Sequence, residues 1–188
     1  MVPLGYVLTP VSRPESVDPG KTYRILGAHW YAEGLYIKDV KPGSEIRADR
    51  LYRVEKGDFV YNRLFAWKGS FAIATPEHQG CYVSNEFPCF AVNQDRLDTR
   101  YLWRYFSRPW VWNQALSLSS GGTPTSRNRL KEERLLAMNI PLPPLEEQRK
   151  IEELAAKIDI AKRLNAESAA EIGALLSSIL DKAFKGEV

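Results

Sequence analysis

From residue 151 onward the apolar positions keep a seven-residue beat. Ile151, Ile158, Asn165, Ile172 and Ile179 share one position, and Leu154, Ala161, Ser168 and Leu175 fill the position three residues later. This is the a and d pattern of a coiled-coil helix, and Ala155, Ala169, Leu176 and Ala183 widen the stripe at e. Residues 145–184 contain no proline and one glycine, so the pattern predicts one unbroken helix, about 60 Å long at about 1.5 Å per residue. Pro144 suits a first helical turn, and Glu146 and Glu147 follow at the positive end of the dipole. Lys182 and Lys185 come in or next to the last turn, with Gly186 as a candidate C′ residue. Such a helix either lies on its own body or pairs with another helix, and its length and strict repeat favour a helical partner. Asn165 stands midway between Ile151 and Ile179. A lone polar a residue fixes register and orientation, so an antiparallel pairing about this point is expected, either with a matching helix in another chain or as a homodimer, in which Asn165 comes close to its mate. The expected contact residues are Ile151, Leu154, Ile158, Asn165, Ile172, Leu175 and Ile179.

Upstream the period changes. Short β-like runs at residues 23–26, 35–40, 51–54, 58–62, 71–74, 81–84 and 87–92 are separated by turns such as Lys41-Pro42-Gly43 and Glu55-Lys56-Gly57. A helix is expected over 99–116, ended or kinked at Pro109, and a short one over 128–138 with Asn128 as N-cap. The fold class is α+β: a small, irregular β-rich domain over residues 1–140, then a proline hinge and a long C-terminal coiled-coil helix over 141–188. The stretch NIPLPPLEEQRKI, residues 139–151, joins the two.

Composition sharpens this division. Twenty of the 21 Phe, Trp and Tyr residues precede position 113, leaving only Phe184 in the helix. Residues 1–144 carry 19 Lys and Arg against 14 Asp and Glu, a balance of +5, whereas residues 145–188 carry 7 against 9, a balance of −2. Thirteen of the 19 body cations are arginine, the cation suited to bidentate phosphate and guanine contacts. No run reaches the roughly 18 apolar residues of a membrane span, and the N-terminus lacks the basic and apolar regions of a secretory signal. The cytoplasm is the expected compartment. Cys81 and Cys89 lack metal-ligand spacing and read as reduced thiols in a strand-rich core, with a disulfide as the alternative.

A search for catalysis returns little. Ser119-Ser120-Gly121-Gly122-Thr123 lacks the lysine of a phosphate-binding loop, and His29 and His78 stand without partner motifs. There is no Asp/Asn-Pro-Pro-aromatic tetrapeptide of the kind amino-methyltransferases use to hold a target base. The chain is therefore expected not to be an enzyme, and no cofactor or metal of its own is expected. Two polar, basic and aromatic loops remain. The first holds Asn62, Arg63, Trp67, Lys68 and Ser70, side chains able to reach base edges or phosphates, with the tryptophan able to stack. The second runs over 117–129, where Thr123, Arg127 and Arg129 suit phosphate contacts. Core packing of Phe65 and Trp67, and a plain solvated linker at 119–125, are the competing readings of these segments.

The run SGGTPTSRNRLKEERLLAMNIPLPPLEEQRKI resembles the specificity (S) subunits of type I restriction–modification systems, and GDFVYNRLFAWKGSFA and GCYVSNEFP look like their target-recognition sequence. The resemblance covers roughly residues 20–188, and its most specific part is the Pro-Leu-Pro-Pro-Leu-Glu-Glu-Gln-Arg junction. It implies a target recognition domain that reads one half of a split double-stranded DNA site, followed by a helix that packs antiparallel as a spacer. It also implies methyltransferase (M) subunits that bring S-adenosylmethionine and methylate adenine, and a restriction (R) subunit that works with ATP and magnesium. The family plan has two recognition domains and two helices, so this chain looks like a half-sized S subunit or a fragment of one. A homodimer through the helix would restore the plan. The competing class is a coiled-coil adaptor without DNA specificity, and a small standalone methyltransferase is a third.

Overall fold

The computed structural model describes residues 1–121 and 128–185. The chain divides into two compact units, Met1–Gln148 and Arg149–Val188.

Seven strands lie where the alternating pattern places them: β4 (Thr22–Ala28), β5 (Leu35–Pro42), β6 (Arg50–Arg53), β7 (Phe59–Tyr61), β8 (Phe71–Ile73), β9 (Tyr82–Val83) and β10 (Cys89–Val92). Three more come from segments not expected to be strands, β1 (Val2–Pro3), β2 (Leu8–Val11) and β3 (Pro14–Ser16), and β11 (Asn139–Ile140) is the exit strand at the start of the NIPLPPLEEQRKI joint. The strands form a four-stranded sheet, β2-β10-β7-β8, a five-stranded sheet, β3-β6-β9-β4-β5, and the two-stranded β1-β11. Proline lacks a ladder donor and is confined to sheet edges. Pro10 and Pro14 obey this rule, since β2 and β3 are edge strands.

Strand β7 is buried along its whole length because both faces of its sheet are covered. Phe59 and Tyr61 point into an aromatic core with Phe71, Phe90 and Phe106. Phe71 lies 4.4 Å and Phe59 4.8 Å from the Phe106 ring. Val60, between them, points the other way and packs with Cys89, Leu26 and Val83 in a core between the two large sheets. This is the period-two alternation of a strand read on two apolar sides. Cys81 and Cys89 are free thiols buried in this second core, and burial pushes Cys89 up to about 12.

The helix expected over 99–116 is two helices, α1 (Thr99–Phe106) and α2 (Pro109–Leu118). Asp98 caps α1 by accepting the Arg100 N–H at 2.8 Å, and Pro109 starts α2 at a first-turn position rather than kinking one long helix. The short helix expected over 128–138 is corrected to α3 (Glu132–Leu136), with Lys131 rather than Asn128 at its N-cap. Residues 128–130 are extended instead, because Arg129 pairs with Ser120 and the Leu130 N–H bonds the Arg63 carbonyl at 2.9 Å.

The exit from the body is a clasp. Val2 pairs with Ile140, and the Leu4 N–H reaches the Met138 carbonyl at 2.8 Å. Tyr105 and Tyr101 donate their hydroxyls to the carbonyls of Asn139 (3.0 Å) and Pro141 (3.1 Å). Helix α4 (Leu145–Lys185) then runs unbroken for 41 residues. Its a and d side chains are exposed in the single chain, Ile151 at 44%, Ile172 at 67% and Ile179 at 49%. Gly186 lies outside the described residues. Among those residues no helix is long and apolar enough to cross a membrane.

Candidate nucleic-acid interface

Residues 62–70 leave β7 and return to β8 as a loop braced by its own polar groups. Asn62 Oδ1 accepts the Leu64 N–H at 3.0 Å, and the Asn62 N–H reaches the Ser70 carbonyl at 3.0 Å. Such an Asx turn is what asparagine favours where the chain reverses. Trp67 Nε1 donates to the Leu64 carbonyl at 3.1 Å. A turn of 3-10 helix over Ala66–Lys68 ends at Gly69, whose φ of 76° lies in the left-handed region. A Cβ there would stand 2.4 Å from the Trp112 ring, so glycine is required for space as well as conformation. Ser70 is 1% exposed and donates to the Ala28 carbonyl at 3.2 Å. Asn62 and Ser70 thus hold the loop, and Lys68 and part of Trp67 remain on its outer side.

Arg63 is committed within the fold. Its guanidinium holds the Glu132 carboxylate through two nitrogens, Nε to Oε2 at 3.0 Å and Nη2 to Oε1, and Nη1 donates to the Asn85 carbonyl. Burial alone would push the Glu132 carboxyl up, but the Arg63 hydrogen bond and charge hold it below the usual carboxylate range. Arg129 pairs with Glu86 at 2.9 Å and is more exposed. Tyr61, fully buried, donates its hydroxyl to the Leu130 carbonyl at 3.0 Å, and burial raises its pKa. These bonds tie the loop, the turn at Ser84–Phe87 and the start of α3 into one polar seam.

The seam borders a cleft of about 410 Å³, lined by Arg13, Arg53, Arg63, Asn85, Phe87 and Glu132 among others. Its cations are largely balanced: Arg13 binds Asp58 at 2.6 Å and Arg53 binds Glu55 at 3.2 Å. Ser120 and Arg129 exchange backbone hydrogen bonds of 3.0 and 2.8 Å on either side of residues 122–127. Thr123 and Arg127 fall in that segment, outside the described residues. No group of three or more His, Cys, Asp or Glu side chains converges as a metal site among the described residues.

The family model for the type I restriction modification DNA specificity domain matches residues 40–173, from β5 through most of α4. The chain belongs to this family. Two solved structures share the fold. The HsdS subunit from Thermoanaerobacter tengcongensis is 21% identical, with a TM-score of 0.67, over 88% of this chain and 44% of that one. A chain from work on complex assembly and conformational transition of the type I R-M system is 24% identical, with a TM-score of 0.70, over 97% and 48%. The present chain therefore spans about half the length of the solved structures it matches. Comparison with curated proteins gave no match.

Two features of this specificity domain were not anticipated. Trp30 and Tyr31, 41% and 57% exposed, crown the β4–β5 turn beside Lys68. Their signal in the sequence is a Trp-Tyr doublet between two β-like runs. The other is Gln148, fully buried, whose amide donates to the carbonyls of Arg96 and Pro143 at 2.8 Å each and accepts the Asp98 N–H at 2.9 Å. The glutamine of Glu-Glu-Gln-Arg is the only uncharged polar residue in that run, which marks it for burial.

Proposed function

We propose that this chain is the DNA-reading subunit of a type I restriction–modification complex, with its body contacting one half of a bipartite double-stranded site. The observation that carries this reading is the DNA specificity family match across residues 40–173. Lys68, Trp67 and Arg129 present cationic and aromatic groups at the loop face, with Arg127 and Thr123 in the neighbouring segment. Arg63 contributes by holding the face in shape, and by direct contact if DNA displaces Glu132. Asn62 and Ser70 set the loop conformation on which this contact depends.

Helix α4 pairs antiparallel with a second copy through Ile151, Leu154, Ile158, Asn165, Ile172, Leu175 and Ile179. An exposed apolar stripe of this length supports that reading, because water contact with such residues costs free energy that a partner helix removes. The dimer spaces two readers over a palindromic bipartite site and docks methyltransferase subunits. Those subunits supply S-adenosylmethionine and the adenine chemistry, and a restriction subunit supplies ATP- and magnesium-dependent cleavage. The chain itself is non-catalytic, carries no cofactor and works in the cytoplasm.

The test is to co-express the chain with a matching methyltransferase subunit, measure DNA binding across a salt series, and sequence methylated DNA from those cells. Expected are binding that weakens as log Kd rises linearly with log salt, at about 0.9 per phosphate neutralised, and a bipartite methylated motif. Helix pairing without salt-sensitive DNA binding or methylation would instead establish an adaptor.

A further inference from the structure

The β4–β5 turn is held rigid in an unfavourable backbone conformation while keeping two large aromatic rings in water. Tyr31 has φ of 61° and Ala32 of 57°, the only non-glycine positive values among the described residues. Left-handed backbone in residues bearing a Cβ persists only where surroundings enforce it, and it concentrates at functional sites. Here the enforcement is explicit. The Tyr31 N–H bonds the Lys68 carbonyl at 2.8 Å and the Ala32 N–H bonds the Gly69 carbonyl at 2.7 Å. Trp103 Nε1 donates to the Ala32 carbonyl at 2.9 Å, and Ala32 itself is buried. The strain therefore serves to aim the side chains on either side of a pinned backbone.

Those side chains form a platform with a cation. The Lys68 ammonium sits 3.6 Å from the centre of the Trp30 ring and 5.1 Å from that of Trp67. Phe65 backs Trp30 at 5.9 Å, and Trp112 backs Tyr31 at 5.6 Å. Tyr31 is supported from behind and 57% exposed. No carboxylate pairs with Lys68 among the described residues, unlike Arg13, Arg53, Arg63 and Arg129. The ammonium lies on Trp30, whose ring stands 6.5 Å from that of Tyr31, so a supported ring and a cation without a carboxylate partner are one ring apart, matching the two parts of a nucleotide, a base with a π-face and a phosphate with a negative charge.

We propose that Tyr31, backed by Trp112, is a stacking wedge pressed against a base step of the bound DNA, with Lys68 taking the flanking phosphate. The inference rests on the DNA-reading assignment above. Wedges of this kind partly unstack a step and bend the duplex, which makes the cost of binding depend on the sequence at that step.

The probe is a set of duplexes carrying the site selected from random duplexes by the wild-type chain in complex with its methyltransferase subunit, with 2-aminopurine placed at successive positions. A rise in fluorescence at one step on wild-type binding is expected. Tyr31→Ala should abolish that rise and weaken binding about tenfold, within the range of a lost base–aromatic stack. Tyr31→Phe should keep both, and Lys68→Ala should reduce the salt slope by about one. A complex that selects no duplex at all overturns the DNA-reading assignment. A wild-type complex that binds, with Tyr31→Ala equal to it in affinity and fluorescence, overturns the wedge alone. So does a Tyr31→Ala chain that keeps DNA binding but loses the methyltransferase subunit, since the loop would then be a protein-docking surface.

Discussion

The Gln148 side chain accepts the backbone N–H of Asp98 at 2.9 Å, joining the first turn of α4 to the residue that caps α1. The same amide donates both its hydrogens, to the carbonyls of Arg96 and Pro143. An amide can meet two acceptors and a donor at once, and a carboxylate cannot. Gln148→Glu would aim an oxygen at two carbonyls inside the fold and is expected to cost about 3 kcal/mol at neutral pH. The cost should shrink at low pH, when a protonated carboxyl can donate to one carbonyl. Denaturant unfolding at two pH values and hydrogen exchange at the Asp98 amide check this. A variant with wild-type stability and protection would remove Gln148 as the anchor.

Arg63 and Glu132 offer a second measurement. Both side chains are largely shielded, 17% and 33% exposed, so either partner alone leaves a poorly solvated charge. Arg63→Ala and Glu132→Gln are each expected to lower stability by about 1–3 kcal/mol. Their double mutant should lose less than the sum, with a coupling of at least about 0.5 kcal/mol. DNA affinity then separates two roles. If Arg63 only positions the loop, both single variants lose affinity equally. If it reads guanine bidentately, Arg63→Ala loses about 1–3 kcal/mol more and relaxes the site preference.

The β-rich body and the long helix were legible because both rest on periodicity that burial enforces. Seven β-like runs have observed strands beneath them, and residues 145–184 lie within α4. The strands that escaped notice begin or sit at Pro3, Pro10 and Pro14, residues that argue against a ladder unless its edge position is known. Helix α3 is shorter than its pattern because Arg129 and Leu130 are drawn into tertiary pairing. At the candidate site, sequence identified the polar loop but not the division of labour within it. Ser70 and Asn62 have the chemistry to face a ligand, yet their hydrogen bonds are spent on Ala28 and Leu64. Only the fold reveals that the turn opposite, at Trp30 and Tyr31, rests on the same loop.

His78 predicts a pH response. Its Nδ1 accepts the Thr75 N–H at 3.1 Å, closing a capping box within the β8–β9 connection. Burial holds the imidazole below its ordinary pKa, with Arg24 adding to the effect and Glu77 opposing it. The folded state therefore binds a proton less readily than the unfolded chain. The stabilisation is complete above the unfolded value near about 6.5 and is lost as pH falls from there through the folded value. The thermal stability of the wild type should fall as pH drops below about 6.5, and His78→Gln, which keeps an acceptor but does not titrate, should remove that component. A wild-type and variant pair with the same slope in this window would contradict the assignment.

The pairing of α4 can be read from chemistry at its two ends. In the proposed antiparallel dimer Ile151 of one copy lies near Ile179 of the other, whereas in a parallel dimer each meets its own counterpart. Ile151→Cys and Ile179→Cys chains, mixed and oxidised, should crosslink to each other and only weakly to themselves. Cys81 and Cys89 do not compete, because both are buried. Asn165→Ile should tighten association by replacing a polar core layer, and should also loosen orientation, since the asparagine disfavours alternative registers. In that variant self-crosslinks of Ile151→Cys are expected to rise. Ile158→Asp with Ile172→Asp should leave a monomer by light scattering at tens of micromolar. Wild-type protein that is already monomeric there would exclude the homodimer and leave a matching helix in another chain as the partner.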